Sequence, residues 1–565
     1  MSKIHSLEIN NYRGIKHFSQ VFNSESLVVL IGRGDSGKST ILKAISCVLS
    51  PNWNLQFSDW DFHNCDTSSA ITITAQISEF PDELLTYQKH GLHIGFLKED
   101  DTVYYPIDED VQPSEKDKPI LTIRLTVDST LEPKWKVLYG DSFSQEADIT
   151  SSDRAKLKFY AITDYIDNQF TYSKGSPLYS LSNMVMEEKP ETSKELVSLM
   201  REIYTNINHE TLFDDFSDVN KTIIDKANSI GLDLSELKTK IEFKPNAYTE
   251  SSISLHRGNI PYKFYGKGSK RLLSIAIQLA LIKNGGIVTI DEIEQGLEPD
   301  RVRCIVRHFR NNKSGQVFLT THSKDVVTEA AYNNLFLTRA NVAKLQTFDD
   351  DLQRLLRAQP DAFFSKRIIL CEGATECGII RALESHLFQK ESISLSAKGI
   401  VYLDANGEAN MFQRSVQLKS MGFDVLAFGD NDRTEDVKAK NNAIESNVTI
   451  VICEENNALE KQLFKDLSWA AVCDMIEYAI ELYKGDTSFL PFAFCDLKDL
   501  RACEDENEKE KIRDACGKQS AKSGWYKRIY AGIIIGGIII QDLDAMSENC
   551  ILRQEFDIII KWIKK

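Results

Sequence analysis

One short segment constrains the fold more than any other, because it requires a strand before it and a helix after it. Gly32-Arg33-Gly34-Asp35-Ser36-Gly37-Lys38-Ser39-Thr40 follows the apolar run Leu27–Ile31 and precedes a helical stretch from Ile41 to Leu49. It is a complete G-x-x-x-x-G-K-[ST] pattern, whose backbone N–H groups surround phosphates while the lysine reaches the β- and γ-phosphates. The sequence therefore predicts an α/β domain that binds ATP and Mg²⁺ through Gly32, Gly34, Gly37, Lys38, Ser39 and Thr40.

A second apolar strand supplies the acidic partner that such a loop needs. The run Gly286–Ile290 ends in Asp291 and Glu292. Asp291 is predicted to complete the Mg²⁺ shell together with Ser39, and Glu292 is predicted to polarise the attacking water. These acids lie about 250 residues after the glycine-rich loop.

Two further segments are expected to contact the γ-phosphate. Gly266-Lys267-Gly268-Ser269-Lys270-Arg271 opens an apolar helix, and the N–H groups of Gly268 and Ser269 can bind the γ-phosphate of a nucleotide held by another subunit. The apolar run Val317–Thr321 leads to His322, which is predicted to touch the γ-phosphate from the end of a strand.

These motifs, in this order, resemble an ABC-type ATPase head of the SMC/Rad50-like kind over residues 1–350. The resemblance adds a D-loop near Gly296-Leu297-Glu298-Pro299 and implies a homodimer or higher homo-oligomer formed through the ATPase domains. The signature departs from the usual Leu-Ser-Gly-Gly-Gln, because Lys267 stands where serine is typical. Residues 1–150 and 241–350 would form the ATPase, and residues 151–240 a helical insertion, either a dimerisation element or helices that complete the core.

The last third of the chain contains three apolar runs that each end in acidic residues. The runs are Arg367–Cys371, Ile400–Leu403 and Asp424–Gly429, and the acids that follow them are Glu372, Glu376, Asp404, Asp430 and Asp432. Parallel sheets bind ligands at the carboxyl ends of their strands. Carboxylates gathered there repel one another unless a hard cation lies between them. The pattern therefore predicts a parallel sheet that holds Mg²⁺ or Mn²⁺ for phosphodiester cleavage.

This second arrangement resembles a Toprim domain, with Glu372 matching its glutamate and Asp430/Asp432 its paired aspartates. Together with the ATPase head, it makes the whole chain similar to OLD-family (overcoming lysogenization defect) ATP-dependent endonucleases, of the sort found as Gabija-type nucleases and retron-associated effectors. The resemblance implies that residues 351–565 form a Toprim nuclease domain. It also adds Glu460 to the metal site and assigns Lys522 to stabilise charge on the pentavalent phosphate.

Composition limits how such a protein can engage DNA. The chain has 67 Lys+Arg against 83 Asp+Glu, a net charge of -16, which argues against coating nucleic acid through bulk charge. Contact is therefore expected at local basic strips. One candidate is Lys518–Arg528, with four basic residues around Trp525 and Tyr526 that can track a backbone and stack a base; the alternative is ordinary surface.

Other features of the sequence narrow the class of protein. Eleven cysteines occur without a Cys-x-x-Cys pair, which argues against a zinc or redox motif. The most apolar run, Ala531–Ile540, is shorter than the roughly 20 residues a membrane span needs, and is interpreted as a buried strand or helix packed at its glycines. The sequence predicts a cytoplasmic protein without membrane contact.

The leading hypothesis is an ATP-regulated, divalent-metal-dependent DNA endonuclease that acts as the effector of a bacterial antiphage system. Its partners would be DNA and either another defence protein or a reverse transcriptase with its DNA–RNA product. The alternative is a DNA-clamping SMC-like ATPase in repair or chromosome maintenance, with a non-catalytic Toprim domain. A topoisomerase or primase is a third option, against which stands the absence of a strand-breaking tyrosine module or a zinc ribbon in the sequence.

Overall fold

The computed structural model describes residues 2–22, 25–106, 113–140, 145–162, 167–172, 176–185, 210–242, 252–283, 285–340, 343–431, 437–493 and 495–565. The chain divides into two compact units, Met1–Phe348 and Asp349–Lys565.

In the first unit the strands are β1 (Lys3–Tyr12), β2 (Ile15–Val21), β3 (Leu27–Ile31), β4 (Ile71–Ser78), β5 (Gly95–Leu97), β6 (Val103–Tyr104), β7 (Lys118–Val127), β8 (Pro133–Tyr139), β9 (Gln145–Asp148), β10 (Phe159–Ile162), β11 (Lys238–Glu242), β12 (Ser252–Arg257), β13 (Ile260–Pro261), β14 (Ile287–Ile290), β15 (Gln316–Thr320), β16 (Leu335–Leu337) and β17 (Gln346–Thr347). The helices are α1 (Lys38–Val48), α2 (Ser151–Ala155), α3 (Pro177–Val185), α4 (Ser217–Ser229), α5 (Lys267–Ile282), α6 (Pro299–Asn311) and α7 (Lys324–Glu329).

In the second unit the strands are β18 (Arg367–Cys371), β19 (Ile400–Asp404), β20 (Asp424–Gly429) and β21 (Thr449–Ile452). The helices are α8 (Asp350–Ala358), α9 (Ala374–Glu391), α10 (Glu408–Ser420), α11 (Val437–Glu445), α12 (Leu459–Asp466), α13 (Trp469–Leu482), α14 (Leu497–Arg501), α15 (Glu506–Ser523), α16 (Ile529–Asp542) and α17 (Ile551–Lys564).

The nucleotide loop follows β3, an internal strand of a sheet with the order β10-β14-β15-β3-β16-β17. All neighbours are parallel except the last pair. Every residue of β3, β14 and β15 is buried, as expected for strands covered on both faces. Because these three strands are parallel neighbours, their carboxyl ends bring the glycine-rich loop, the Asp291–Glu292 pair and the His322 segment to one edge.

Helix α1, which follows the loop, is held by a second sheet. That sheet is antiparallel, with the order β2-β1-β4-β7-β5-β6 and with β8 and β9 extending from β7. Ile41, Ile45 and Val48 of α1 belong to one buried apolar cluster with residues of this sheet such as Ile73 and Leu125. The apolar face of α1 thereby fixes the direction in which its N-terminus points.

The segment predicted as a helical insertion, residues 151–240, contributes a strand that the pattern did not indicate. Strand β10 pairs with β14 at the edge of the nucleotide sheet, and its four residues are too few to show a period. Helices α3 and α4 of this segment contact α5, which begins at the signature. Residues 186–209 lie outside the described residues, and a role of the segment in dimerisation stays a prediction.

The second unit contains the predicted parallel sheet, with the order β19-β18-β20-β21. The apolar run Ala531–Ile540 lies in helix α16, which packs closely against α9. A Cβ on Gly378 would lie 2.2 Å from the carbonyl oxygen of Ile529, so the two helices approach at their glycines. Of the helices in the described part of the chain, none combines the length and apolarity that a membrane span requires.

The close approach of α9 and α16 predicts that adding a Cβ atom at Gly532 lowers the stability of the fold. A Cβ on Gly532 would lie 2.2 Å from the carbonyl oxygen of Thr375, and backbone cannot retreat as a flexible side chain can. We expect Gly532→Ala to lower the free energy of unfolding by about 1–3 kcal/mol, measured by urea denaturation of the full chain. Gly537→Ala is the matched control, because its Cβ would have nothing within 4 Å. Equal midpoints for the two variants would contradict the packing.

Candidate ATP-binding and metal-binding sites

The glycine-rich loop is tightly folded around Lys38. The Lys38 ammonium donates to the carbonyl oxygens of Gly32 at 2.8 Å and Arg33 at 2.7 Å. Gly37, immediately before α1, has φ of 90°, a conformation that other residues rarely adopt. The loop therefore has the backbone that its glycines predict, with Lys38, Ser39 and Thr40 in the first turn of α1.

A contact that the sequence pattern did not reveal braces this loop. Thr338 follows β16, and its hydroxyl shares a hydrogen bond of 2.6 Å with the hydroxyl of Ser36. A Cβ on Gly32 would lie 2.6 Å from the Thr338 carbonyl oxygen, so only glycine fits there. Thr338 is 302 residues from Ser36 in sequence, and it reaches the loop because it directly follows β16, the parallel neighbour of β3.

The structure brings Ser39 and the β14 acids together. The Ser39 hydroxyl donates to Asp291 Oδ1 at 3.0 Å, and the Thr320 hydroxyl donates to the same oxygen at 2.5 Å. The backbone N–H of Glu292 donates to the Thr320 hydroxyl at 2.8 Å. Glu292 has φ of 47°, a left-handed conformation that costs about 1–3 kcal/mol in a residue with a Cβ and that clusters at functional sites.

Glu294 is a site residue that the sequence reasoning missed. Its carboxylate accepts from the Thr321 hydroxyl at 2.7 Å and from the backbone N–H of His322 at 2.5 Å. It therefore fixes the segment that carries His322. The only signal in the sequence is its place two residues after Glu292, which is too weak a pattern to interpret alone.

The electrostatics of the site are set by burial. Burial lowers the pKa of Lys38 to about 8, although Asp291, Glu292 and Glu294 oppose the shift. Burial also lowers the pKa of His322, and the nearby Lys38 ammonium adds to this effect. His322 is therefore neutral at pH 7 and can donate or accept a hydrogen bond.

The signature segment is attached to the strand that carries the acids. Gly268 lies in the first turn of α5, and a Cβ there would lie 2.5 Å from the carbonyl oxygen of Gly296 in the predicted D-loop. Ser269 occupies the next position, so both N–H groups belong to the helix start, where they lack intrahelical acceptors. Arg271, which is 1% exposed, donates to the carbonyl oxygens of Asp291 and Glu292.

In the second unit, hydrogen bonds orient the acids at the carboxyl ends of β18 and β20. Glu372 accepts from the backbone N–H of Asp430 at 2.7 Å. Asp430 accepts from the backbone N–H of Leu459 at 2.6 Å, which links it to the start of α12 and to Glu460. Glu376 accepts from the backbone N–H of Gly373 at 3.0 Å, at the start of α9. These bonds connect two strand ends and two helix starts.

Four of the predicted acids interact electrostatically. Burial raises the pKa of Glu376 well above its usual range, and the charges of Asp430, Glu372 and Glu460 raise it further. Asp404 lies at the end of the neighbouring strand β19, where its carboxylate accepts from the backbone N–H of Asn406 at 2.7 Å. Asp432 falls outside the described residues.

The chemistry of the donor set decides whether a divalent cation fits it. Its members are carboxylates only, which suits Mg²⁺ or Mn²⁺, and their mutual repulsion would be relieved by a cation. Within the described residues, no three His, Cys, Asp or Glu side chains form a ready-made coordination group. The chemistry of the donors fits such an ion, and Glu372, Glu376, Asp430 and Glu460 would hold it.

The basic segment Lys518–Arg528, which spans the end of α15 and the residues after it, differs from the prediction in one respect. Lys522 is exposed in the last turn of α15. The rings of Trp525 and Tyr526 are buried, at 4% and 0% exposure, so the interpretation that they stack bases is wrong. Trp525 packs edge-on against Phe489, and the Tyr526 hydroxyl donates to the carbonyl oxygen of Met475 at 2.9 Å. An apolar core formed by distant helices takes up both rings.

A further acid near this site has no counterpart in the sequence reasoning. Glu555 of α17 is 4% exposed, and neither carboxylate oxygen has a hydrogen-bond partner among the described residues. Burial raises its pKa to about 8, and the charges of Asp466, Asp430 and Glu454 add to the shift. Glu555 is therefore largely protonated at pH 7.

This shift predicts how stability depends on pH. Between about pH 4.5 and pH 8, unfolding releases the Glu555 proton that the folded chain retains, so stability falls as pH rises through this window. The full penalty, about 5 kcal/mol at most, is present above pH 8. We expect Glu555→Gln to raise the urea midpoint at pH 8.5 and to have little effect at pH 5, measured in EDTA. Asp557→Asn, exposed on the same helix, is the control; a pH-independent difference would contradict the prediction.

Family models match both units of the chain. The AAA ATPase domain model (AAA_15) matches residues 2–327. The model described as overcoming lysogenization defect protein-like, TOPRIM domain, matches residues 363–432. The predicted order of an ATPase domain followed by an OLD-like Toprim domain with a parallel sheet is thereby confirmed.

Several solved structures are similar to part of the chain. An Smc head bound to the C-winged helix domain of ScpA is 16% identical over 62% of this chain and 98% of its own (TM-score 0.37). An Smc head with an extended coiled coil, bound to the C-terminal domain of ScpA derived from Pyrococcus furiosus, is 14% identical over 63% of this chain and 99% of its own (TM-score 0.36). The recombination mediator protein RecF with ATPγS is 11% identical over 61% of this chain and 98% of its own (TM-score 0.35). No curated protein matches. The chain belongs to the AAA ATPase domain family and carries an OLD-like Toprim domain in its second unit.

Proposed function

We propose that this protein is an ATP-regulated, divalent-metal-dependent DNA endonuclease. One observation carries the proposal: Glu372, Glu376, Asp430 and Glu460 interact at the carboxyl edge of an OLD-like Toprim sheet. The charges of the other three acids raise the pKa of the buried Glu376, and this repulsion would be relieved by a bound cation. Asp404 and Asp432 are proposed to complete the set.

The proposed chemistry divides between the cation and the chain's own residues. A bound Mg²⁺ or Mn²⁺ would lower the pKa of a water and neutralise charge on the scissile phosphate. Glu372 and Asp430, each oriented by a backbone N–H, would hold the cation in place. Lys522 is proposed to stabilise the charge that develops on the phosphate.

In the ATPase unit, the proposed roles follow the hydrogen bonds. Ser39 and Asp291 would hold Mg²⁺, because they already share a contact of 3.0 Å. Glu292 would act as general base, and neutral His322 would contact the γ-phosphate. The N–H groups of Gly268 and Ser269 would bind the γ-phosphate of a second copy, so ATP would join two chains as a homodimer or part of a larger homo-oligomer.

At a finer level, we propose that the protein is the effector of a bacterial antiphage system, in the manner of Gabija-type nucleases or with a reverse transcriptase and its DNA–RNA product. The pairing of an ATPase domain with an OLD-like Toprim domain supports this role. Plaque assays on cells that express the wild type or Glu372→Gln test it. Equal plaque numbers with both would remove the antiphage role without touching the nuclease assignment.

A second candidate function is a DNA-clamping ATPase whose Toprim domain is not catalytic. The observation that favours it is that, within the part of the chain the structure describes, no three ligands are preassembled for a metal. In this case DNA binding would follow the nucleotide state, but no strand would be cut.

The experiment that separates these functions incubates the full chain with supercoiled plasmid and with single-stranded DNA. Mg²⁺, Mn²⁺ or EDTA is combined with ATP, ADP or no nucleotide, and Lys38→Ala is run in parallel. A nuclease cuts only with metal, and ATP control makes Lys38→Ala insensitive to nucleotide. Binding without cleavage in every metal would support the clamp. Cleavage that is identical in all nucleotide states would remove the regulation by ATP.

A further inference from the structure

A basic and aromatic strip lies beside the acids of the second unit. Lys527 and Arg528 are exposed in the segment that joins α15 to α16, and Tyr530, in the first turn of α16, is 68% exposed. Neither basic residue forms a salt bridge with any described residue. By contrast, Lys518, on the same helix as Lys522, is paired with Asp514 at 2.6 Å. The strip therefore presents two exposed basic side chains, neither held in a salt bridge within the described part of the chain, next to an exposed ring.

The backbone of this strip rests on the N-terminal part of α9, which carries Glu376 and begins two residues after Glu372. The Thr375 hydroxyl donates to the carbonyl oxygen of Tyr526 at 3.0 Å. A Cβ on Gly378 would lie 2.2 Å from the carbonyl oxygen of Ile529, so the two segments are in backbone contact. The strip thus begins directly beside the proposed metal site.

The support beneath the strip is rigid. Tyr526 is fully buried and its hydroxyl donates to the carbonyl oxygen of Met475, while Trp525 packs in the apolar core of the unit. Gly524 ends α15 in a left-handed conformation with φ of 62°, which turns the chain toward α16. Because the anchor rings face inward, the residues after them face solvent. An exposed tyrosine held in this way costs little conformational entropy when it binds.

The chemistry of the strip selects its ligand. In a chain of net charge -16, a patch of Lys527 and Arg528 attracts a polyanion, and an exposed ring adds a face for a base. A base inside an intact duplex has no free face, so a ring on the surface favours unpaired nucleotides. Lys527 and Arg528 could bind phosphates without an aromatic ring beside them, so the exposed ring of Tyr530 favours a ligand that also has unpaired bases.

We propose that Lys527, Arg528 and Tyr530 bind single-stranded DNA next to the cleavage site, with Tyr530 stacking on an unpaired base. The inference rests on the proposed nuclease function and narrows its substrate to DNA with a single-stranded stretch at the scissile phosphate. Lys527 and Arg528 contact the backbone, and their contribution weakens with salt.

The test measures binding of a labelled 20-mer single strand and of a blunt duplex of the same sequence. The full chain is used in a Glu372→Gln background, so that the probe survives. Tyr530→Ala should weaken single-strand binding roughly tenfold and duplex binding less than twofold. Tyr530→Phe keeps the aromatic face and should bind the single strand as tightly as the parent chain. Lys527→Gln with Arg528→Gln should reduce the salt dependence of binding. Tyr87→Ala, an exposed tyrosine of the first unit, is the control.

Single-strand binding by Tyr530→Ala that equals the parent chain would overturn the proposal, as would equal losses for both probes. Cleavage assays in the chain with Glu372 intact separate this outcome from failure of the nuclease function. If the wild type cuts single strands and Tyr530→Ala does so with unchanged KM, only the strip is refuted. If the wild type neither binds nor cuts DNA in Mg²⁺ or Mn²⁺ with any nucleotide, both proposals fail.

Discussion

Glu372→Gln is expected to lower the rate of DNA cleavage by roughly 10²- to 10³-fold, because it removes one charge from the proposed metal site. Glutamine keeps an oxygen that can accept from the backbone N–H of Asp430, now 2.7 Å from the carboxylate, so the end of β20 should remain in place. The loss should therefore reflect chemistry and not unfolding. Plasmid cleavage in saturating Mg²⁺ measures it.

Glu481→Gln is the control for Glu372→Gln. Glu481→Gln changes an exposed acid of α13 in the same unit and should cleave like the wild type. ATP binding by Glu372→Gln should be unchanged, since the P-loop belongs to the other unit. Cleavage within threefold of the wild type would refute the assignment of Glu372 as a metal ligand.

Glu292→Gln is expected to slow ATP hydrolysis by roughly 10²- to 10⁴-fold while ATP still binds. Glu292 stands in a left-handed conformation directly after Asp291, and its N–H is held by the Thr320 hydroxyl at 2.8 Å. The amide of glutamine fills the same space but cannot accept the proton of the attacking water. Phosphate release and binding of a fluorescent ATP analogue measure the two effects separately.

The control for this variant is Glu132→Gln, which changes an exposed acid of the same unit. Hydrolysis by Glu292→Gln that stays within threefold of the wild type would contradict its role as general base. The assignment would then move to Glu294, whose carboxylate holds the backbone N–H of His322 at 2.5 Å. Loss of ATP binding would instead point to damage of the loop.

The strand–loop–helix units were predictable because each has a local cause. Buried strands such as β3 and β18 are continuous apolar runs, and the glycine-rich loop must follow one of them. Strand β10 was missed, since four residues inside a helical pattern show no period of their own. Glu460 was found through the family resemblance, and its place beside Glu376 depends on the path of the chain after β21.

Site residues that belong to no recognisable motif and act only through long-range contacts were not predictable. Thr338 reaches the nucleotide loop across 302 residues, and Thr320 reaches Asp291 only because β14 and β15 are neighbours. Glu555 lies on the C-terminal helix, where nothing in its sequence distinguishes it from the exposed Asp557 two residues later. Burial by other elements makes the difference, and no local pattern records it.

The sequence by itself determined the chemistry available to this protein: a phosphate loop, a pair of acids after a strand, and a second series of strand ends rich in carboxylates. These follow from local rules, because glycine permits positive φ and apolar runs form buried strands. Only the tertiary structure decided which side chains meet and which face water. Tyr526 and Tyr530 show this most directly, since they lie four residues apart and one is buried while the other is exposed. The reason is physical: burial depends on what distant segments pack against a residue, and that is a property of the whole fold.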